Sequence, residues 1–206
     1  MLFLLFGSSA SGKSYTVARL CDSLPGVEVH DFDEVGVPKH PTVGWRYAAN
    51  EQWLQQALDA QSRGLDILVA GQTPLGEMLA APSGLTVAVR GCLVDCDDDT
   101  RVARLRARGD DWLEQAGGSL DDYVAWGQWM RGHARDPHFR LEVIRYDDSL
   151  HWDRLDTHAL CDYWPITIID TTRPVEEVVS EVRRWVRQGQ RAPTLSRPSS
   201  PTQPRR

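Results

Sequence analysis

Lysine is almost missing from this chain. Of its 23 basic residues only Lys13 and Lys39 are lysines, against 21 arginines. Cysteine is scarce too: Cys21, Cys92, Cys96 and Cys161 fit neither a zinc-ligand spacing nor a redox pair, which predicts buried free thiols. The six histidines form no HExxH pattern, so no structural metal is expected. No apolar run approaches the roughly 20 residues of a membrane helix. Leu2 to Phe6 is too short for the apolar region of a signal peptide and lacks a basic lead-in. The expected location is the cytoplasm, with no membrane partner. Net positive charge is also lacking. The chain carries −6 overall, and residues from Gly189 onward hold four arginines and no acid, leaving the remainder near −10. That balance argues against a nucleic-acid groove.

The 206 residues suffice for one sizeable core. Leu2 to Phe6 is continuously apolar and stops at Gly7, the pattern of a strand buried on both faces. A helix is predicted from Lys13 to Ser23, a second strand from Val27 to Phe32, and a helix from Glu51 to Arg63. Ile67 to Ala70 and a part of Leu85 to Val94 read as further strands. Asp97 is a good N-cap for a helix over Asp98 to Arg108. Gly109 to Asp136 is rich in tryptophan and helical around Tyr123 to His133. A fifth strand, Ile166 to Ile169, precedes a closing helix from Pro174 to Arg187. Strand and helix alternate, which predicts a parallel sheet covered by helices on both faces. Beyond Gln188 the composition turns to Pro, Ser, Thr and Arg, and residues 189–206 read as a disordered tail after a domain spanning 1–188. Its PxxP spacing offers a partner domain a possible ligand.

The two lysines acquire meaning from what precedes one of them. Gly7, Ser8, Ser9, Ala10, Ser11, Gly12, Lys13 and Ser14 match GxxxxGK[ST] at every fixed position, between a predicted strand and a predicted helix. Glycines let the backbone turn its N–H groups around an anion, and the helix start adds its positive end. Lys13 can reach the outer phosphates of a nucleotide, and the Ser14 hydroxyl can ligate magnesium; Tyr15 follows in the same turn. Two absences narrow the class. There is no Asn/Thr-Lys-x-Asp segment to read guanine. No apolar strand soon after the loop ends in Asp-Glu, as in motors and transporters; Cys92 to Asp95 imitates that pattern only late in the chain.

His30-Asp31-Phe32-Asp33-Glu34 closes the second strand. Two carboxylates two apart on a strand point to one side, beside the phosphate loop of a parallel sheet. Such a pair could hold magnesium through water and accept the proton of an attacking hydroxyl. Arg104 and Arg108 share a helix face, with Arg101 one turn earlier; in a phosphoryl-transfer enzyme such guanidinium groups stack on adenine and neutralise charge on the phosphates in flight, and otherwise they form a solvated basic helix face. Gln72, at the end of the third strand, and Arg131, in the tryptophan-rich segment, are candidate substrate contacts. Trp45 and Trp126 are either ring platforms or core.

On GSSASGKS, the Asp31/Asp33 pair, TRVARLRARG and IIDTTRPVEEVVSEVRRWV, the chain resembles the small P-loop kinases, the group that includes shikimate, gluconate, adenylate and nucleoside kinases. The resemblance implies a P-loop NTPase three-layer sandwich with a five-stranded parallel sheet and a helical lid insertion, here about 109–140. It also implies ATP and magnesium as cofactors, Asp31 on the magnesium side, a small-molecule acceptor hydroxyl at Asp33, and Arg104 and Arg108 on the adenine and the phosphates. The segment after Gly109 is longer and richer in tryptophan than a minimal lid, and the Ala70-Gly71-Gln72-Thr73 strand end matches no substrate signature. A second reading therefore stands beside the first: an ATP-binding switch or ATPase that passes phosphate to water and acts through a protein partner.

Overall fold

The computed structural model describes residues 1–20, 23–109, 117–156 and 163–191. Five parallel strands lie in the order β2-β3-β1-β4-β5, with β1 Leu2–Phe6, β2 Val27–Asp31, β3 Asp66–Gly71, β4 Val89–Asp95 and β5 Thr167–Asp170. β1 is central, paired with β3 through Leu2–Ile67 to Phe6–Gly71 and with β4 through Leu2–Val89 to Phe6–Leu93. Its unbroken apolar sequence follows from that place. Leu2, Leu4 and Phe6 enter one core and Phe3 and Leu5 the other, and all five are fully buried.

Helices close both faces. α1 (Lys13–Val17) and α6 (Val175–Arg191) cover the Phe3/Leu5 side, where Val178, Val182, Trp185 and Val186 are buried. α2 (Val43–Ser62), α3 (Leu75–Ala80) and α5 (Leu120–His133) supply the other core, with α4 (Asp98–Arg106) beside α5. The sheet is thus the five-stranded parallel three-layer arrangement expected from the alternation of elements. In such a sheet ligands bind where the strand order reverses, at the carboxyl ends of β1 and β3.

Several elements differ from expectation, each for a local reason. The first helix is regular only to Val17 and passes through turns to Leu20. α2 begins at Val43, eight residues before the predicted start, because Thr42 caps it by accepting the Trp45 N–H. α3 is a further helix whose six residues are all buried, so it has no polar face to mark it. The closing helix continues to Arg191, which removes 189–191 from the predicted tail. Gly189 is buried, and Gln190 Nε2 donates to Asp66 Oδ2 at 3.2 Å. Residues 192–206 lie outside the described residues, as does 110–116 of the expected lid. Leu120–His133 packs into the main core through Trp129 and Met130. Cys92 and Cys96 are buried and free, while Cys21 and Cys161 lie outside the described residues. Among the described residues no helix is long and apolar enough to cross a membrane.

Candidate active site

The turn after β1 is built for close approach. A Cβ on Gly7 would stand 2.3 Å from the Val94 carbonyl oxygen and 2.6 Å from Ser11 Oγ, so no other residue fits. Ala10 (φ 60°) and Gly12 (φ 89°) both take left-handed conformations, which curl the loop into a concave run of N–H groups before α1. The Lys13 ammonium lies against this loop, donating to the Gly7 carbonyl at 2.6 Å and the Ser8 carbonyl at 2.9 Å. Burial, reinforced by the Arg101 charge and opposed by Asp31, lowers its pKa to about 7.

Three successive loop residues are fixed from behind. Ser8 Oγ donates to the Tyr123 carbonyl of α5 at 2.9 Å. Arg101 Nη1 donates to the Ser9 carbonyl at 2.8 Å. Arg104 Nη1 donates to the Ala10 carbonyl at 3.2 Å, while its Nη2 donates to the Thr171 carbonyl at 2.6 Å. Arg101 is 0 % exposed and is paired with Asp95 at the end of β4. Room for its guanidinium comes from Gly127, where a Cβ would lie 2.8 Å from the guanidinium carbon. We expect Arg101→Met to cost about 3 kcal/mol, since it leaves a buried carboxylate with Arg131 as its remaining cation. For a chain of this length that is a fall of about 6–12 °C in melting temperature; an unchanged melt would show the pair to be dispensable.

A cleft of about 760 Å³ opens in front of the loop, lined among others by Lys13, Ser14, Asp31, Asp33, Gln72 and Arg108. The two carboxylates reach it differently from the expected strand alternation. β2 stops at Asp31, whose Oδ1 accepts the Asp33 N–H at 3.0 Å and caps a 3-10 turn over Phe32–Val35. Glu34 completes the capping box by accepting the Asp31 N–H at 2.8 Å. Asp33 therefore enters the cleft from a turn. Burial and then the neighbouring Asp31 charge raise its pKa above the usual carboxylate range, partly offset by Lys13. Ser14 and Gln72 are exposed to the same cleft.

A second cavity of about 370 Å³ adjoins the far side of the loop, bordered by Gly12, Tyr15, Arg104, Arg108, Thr171 and Val175. Arg108 and Tyr15 border both cavities. Arg104 divides its donors between a cavity wall and the ties to Ala10 and Thr171.

Arg131 stands elsewhere. Its guanidinium pairs with Asp95, at 3.2 Å, and with Asp98, so it braces the back of the loop and does not line the cleft. Asp95 itself is committed to Arg101 and Arg131, and its likeness to the terminal acid of a motor strand does not extend to a free carboxylate. Trp45 and Trp126 both line the cleft and both pack against the main core, so each joins the two expected positions. Sequence reasoning missed Arg46, which also lines the cleft and is gripped by Glu77 of α3. Their separation of 31 residues leaves no local signal.

No protein-family model and no curated protein matches this chain. Solved structures do. A sugar kinase from Janibacter sp. is 12% identical, superposes with a TM-score of 0.54, and covers 90% of this chain and 94% of its own. A gluconokinase from Sinorhizobium meliloti is 13% identical, with a TM-score of 0.52 and coverage of 90% and 91%. The chain shares the fold of these two structures.

Proposed function

We propose that this chain is an ATP-dependent kinase that phosphorylates a hydroxyl of a small molecule. The observation that carries the reading is a single cleft lined at once by the phosphate loop, with Lys13 and Ser14, and by the Asp31/Asp33 pair, with space left beyond them. A switch that transfers phosphate to water has no need of that further space, and of its two sequence supports, Asp95 and the unmatched strand end at Ala70-Gly71-Gln72-Thr73, the first is occupied by arginines.

The loop fits a nucleotide's phosphates on its own geometry: a curled run of N–H groups, a lysine laid against it, and a glycine where a Cβ would collide. When bound, ATP with magnesium supplies the phosphoryl group and part of the charge neutralisation. Lys13 and Arg108 would hold the outer phosphates, while Ser14 and Asp31 would stand on the metal side. The residues around the smaller cavity, including Tyr15 and Arg104, would take the base. Asp33 would accept the proton from the acceptor hydroxyl, and Gln72 would orient that hydroxyl. Catalysis of this kind is chiefly positioning and charge stabilisation.

The test is ADP release from ATP and magnesium in the presence of nucleosides, nucleotides, polyols and aminoglycoside-like compounds. One compound should raise turnover many-fold and gain a phosphate by mass. Slow turnover unmoved by every compound, yet altered by a protein partner, would favour the switch.

The state of Lys13 gives a second test. With a pKa lowered to about 7 it is mainly neutral at pH 8 in the free protein. Phosphate anions beside it favour the charged form, so ATP binding at pH 8 should take up close to one proton. Below about pH 6 the lysine is already charged and uptake should vanish. Calorimetry in buffers of different ionisation enthalpy reads this directly; no uptake at pH 8 would mean that Lys13 stays charged without nucleotide.

A further inference from the structure

The acceptor half of the cleft has two unusual properties, one of shape and one of charge. α5 carries a stack of parallel rings whose outer member, Trp126, lines it. Trp126 lies on Trp129 with centroids 4.8 Å apart and planes 7° apart, and Trp129 lies on His133 at 4.9 Å and 12°. One face of Trp126 is thus covered by Trp129, while the residue also lines the cleft. The tie from Ser8 to the Tyr123 carbonyl, one turn earlier on the helix, fixes this ring relative to the phosphate loop. Trp45 borders the same cleft, held by an Nε1–H bond to the Gly36 carbonyl at 3.1 Å and packed edge-on against Phe32. Beside it Val37 is 46% exposed, an apolar residue kept on the rim.

The charges on this half come from four places. The turn after β2 gives Asp31 and Asp33, the rim gives Lys39, α2 gives Arg46, and α3 gives Glu77 beneath it. Arg46 does not count as a free cation. Its Nε and Nη2 donate to the two carboxylate oxygens of Glu77 at 2.8 and 2.6 Å, and Glu77 is 0% exposed. Burial works against the arginine's charge, but the Glu77 carboxylate overrides it and raises its pKa further. Asn50 and Thr73 complete the carboxylate's partners at 3.4 Å each. With Lys13 and Arg108, which line the same cleft, assigned to the phosphates and Asp31 to the metal side, what is left to face an acceptor is the Asp33 carboxylate and the exposed Lys39.

We infer that the acceptor is an uncharged alcohol bearing a flat ring, which stacks on Trp126 and abuts Trp45 while its hydroxyl faces Asp33. The inference rests on the kinase reading and deepens it. A phosphorylated or carboxylated acceptor would set further negative charge beside Asp33, with Lys39 as the cation there not already assigned to the nucleotide, and would have to draw Arg46 from Glu77. An open-chain polyol would leave the tryptophan face without a partner, whereas a ring face gains from both walls.

The experiment is binding to the wild-type protein, followed by tryptophan fluorescence and calorimetry with ATP-magnesium or its non-hydrolysable analogue present. The probes are adenosine, uridine and 3-phenoxypropane-1,2-diol as neutral ring alcohols, the two nucleoside 5′-monophosphates as anionic counterparts, and sorbitol and gluconate as open-chain compounds. A neutral ring alcohol should bind at least ten-fold more tightly than its monophosphate and than either open-chain compound. For the alcohol that is also phosphorylated, Trp126→Leu and Trp45→Leu should each raise KM about 10- to 100-fold, with a smaller change in the ATP dissociation constant. Trp126→Phe, which keeps a stacking face, should recover most of the loss and guards against a misfolded Leu variant. Tighter binding of a monophosphate or of gluconate would overturn the inference and make Arg46 an anion contact. So would failure of every ring alcohol while ATP still binds. Failure of ATP itself to bind would instead overturn the kinase reading.

Discussion

Lys13→Ala should lower kcat by about 10³-fold, close to 4 kcal/mol of transition-state stabilisation, while leaving the fold intact. Lys13 is one of two lysines in the chain, and it is the one laid on the loop, within 2.6 Å of the Gly7 carbonyl and 2.9 Å of the Ser8 carbonyl. Lys39, the other, stands exposed on the rim and cannot replace it. Arg101 and Arg104, the nearest arginines behind the loop, are engaged with Asp95, Ser9, Ala10 and Thr171. Stability should move little or rise. A lysine whose folded pKa is lowered is a group whose charge burial disfavours, so its removal relieves the fold at neutral pH. Melting curves and single-turnover kinetics on the same preparation separate the two effects. A variant that transfers phosphate within ten-fold of wild type would remove Lys13 from the chemistry.

Asp33→Asn should lower transfer by about 10²- to 10⁴-fold, the range of a positioned general base, and should retain nucleotide binding. The amide keeps the shape and the 3-10 turn, whose cap is the Asp31 carboxylate and not Asp33. What it loses is proton acceptance. The pH profile carries the signature. Burial and Asp31 raise the Asp33 pKa, so the acid limb of kcat/KM should lie above the usual carboxylate range. Activity should rise with pH as Asp33 ionises. Asp31→Asn removes a negative neighbour, lowers the Asp33 pKa and should move that limb to lower pH. A wild-type transfer rate for Asp33→Asn would show that another group, or none, takes the proton.

What could be read from sequence was local. The phosphate loop declares itself because its chemistry needs fixed residues at fixed spacing, and β1 because a strand covered on both faces needs no polar position. The end of β2 was half legible. Two carboxylates in one place were foreseen, but their route was not, since a capping box competes with strand extension over Asp31 to Glu34. α3 went unseen because all six of its residues are buried. The arginines were the least legible. Arg101, Arg104 and Arg108 read as one helix with one spacing, yet α4 ends at Arg106 and leaves Arg108 in the turn beyond it, and only the fold decides which is buried, which is shared and which stands between the cavities. Arg131 shows the same limit: its partners Asp95 and Asp98 lie more than thirty residues away, and nothing in the tryptophan-rich segment announces them.

The ties on Ser8, Ser9 and Ala10 divide the labour of the cleft. Hydroxyl, carbonyl and carbonyl in succession are bound to α5 and α4, so the loop, both helices and the Trp126 ring form a single anvil. The facing side of the cleft is bounded by residues 36–42, which cross from the 3-10 turn to α2 without regular structure. If the chain is a kinase, the loop side of the cleft is thus tied to two helices while the opposite rim, with Val37 and Lys39 beside the approach to Trp45, is held by no regular element.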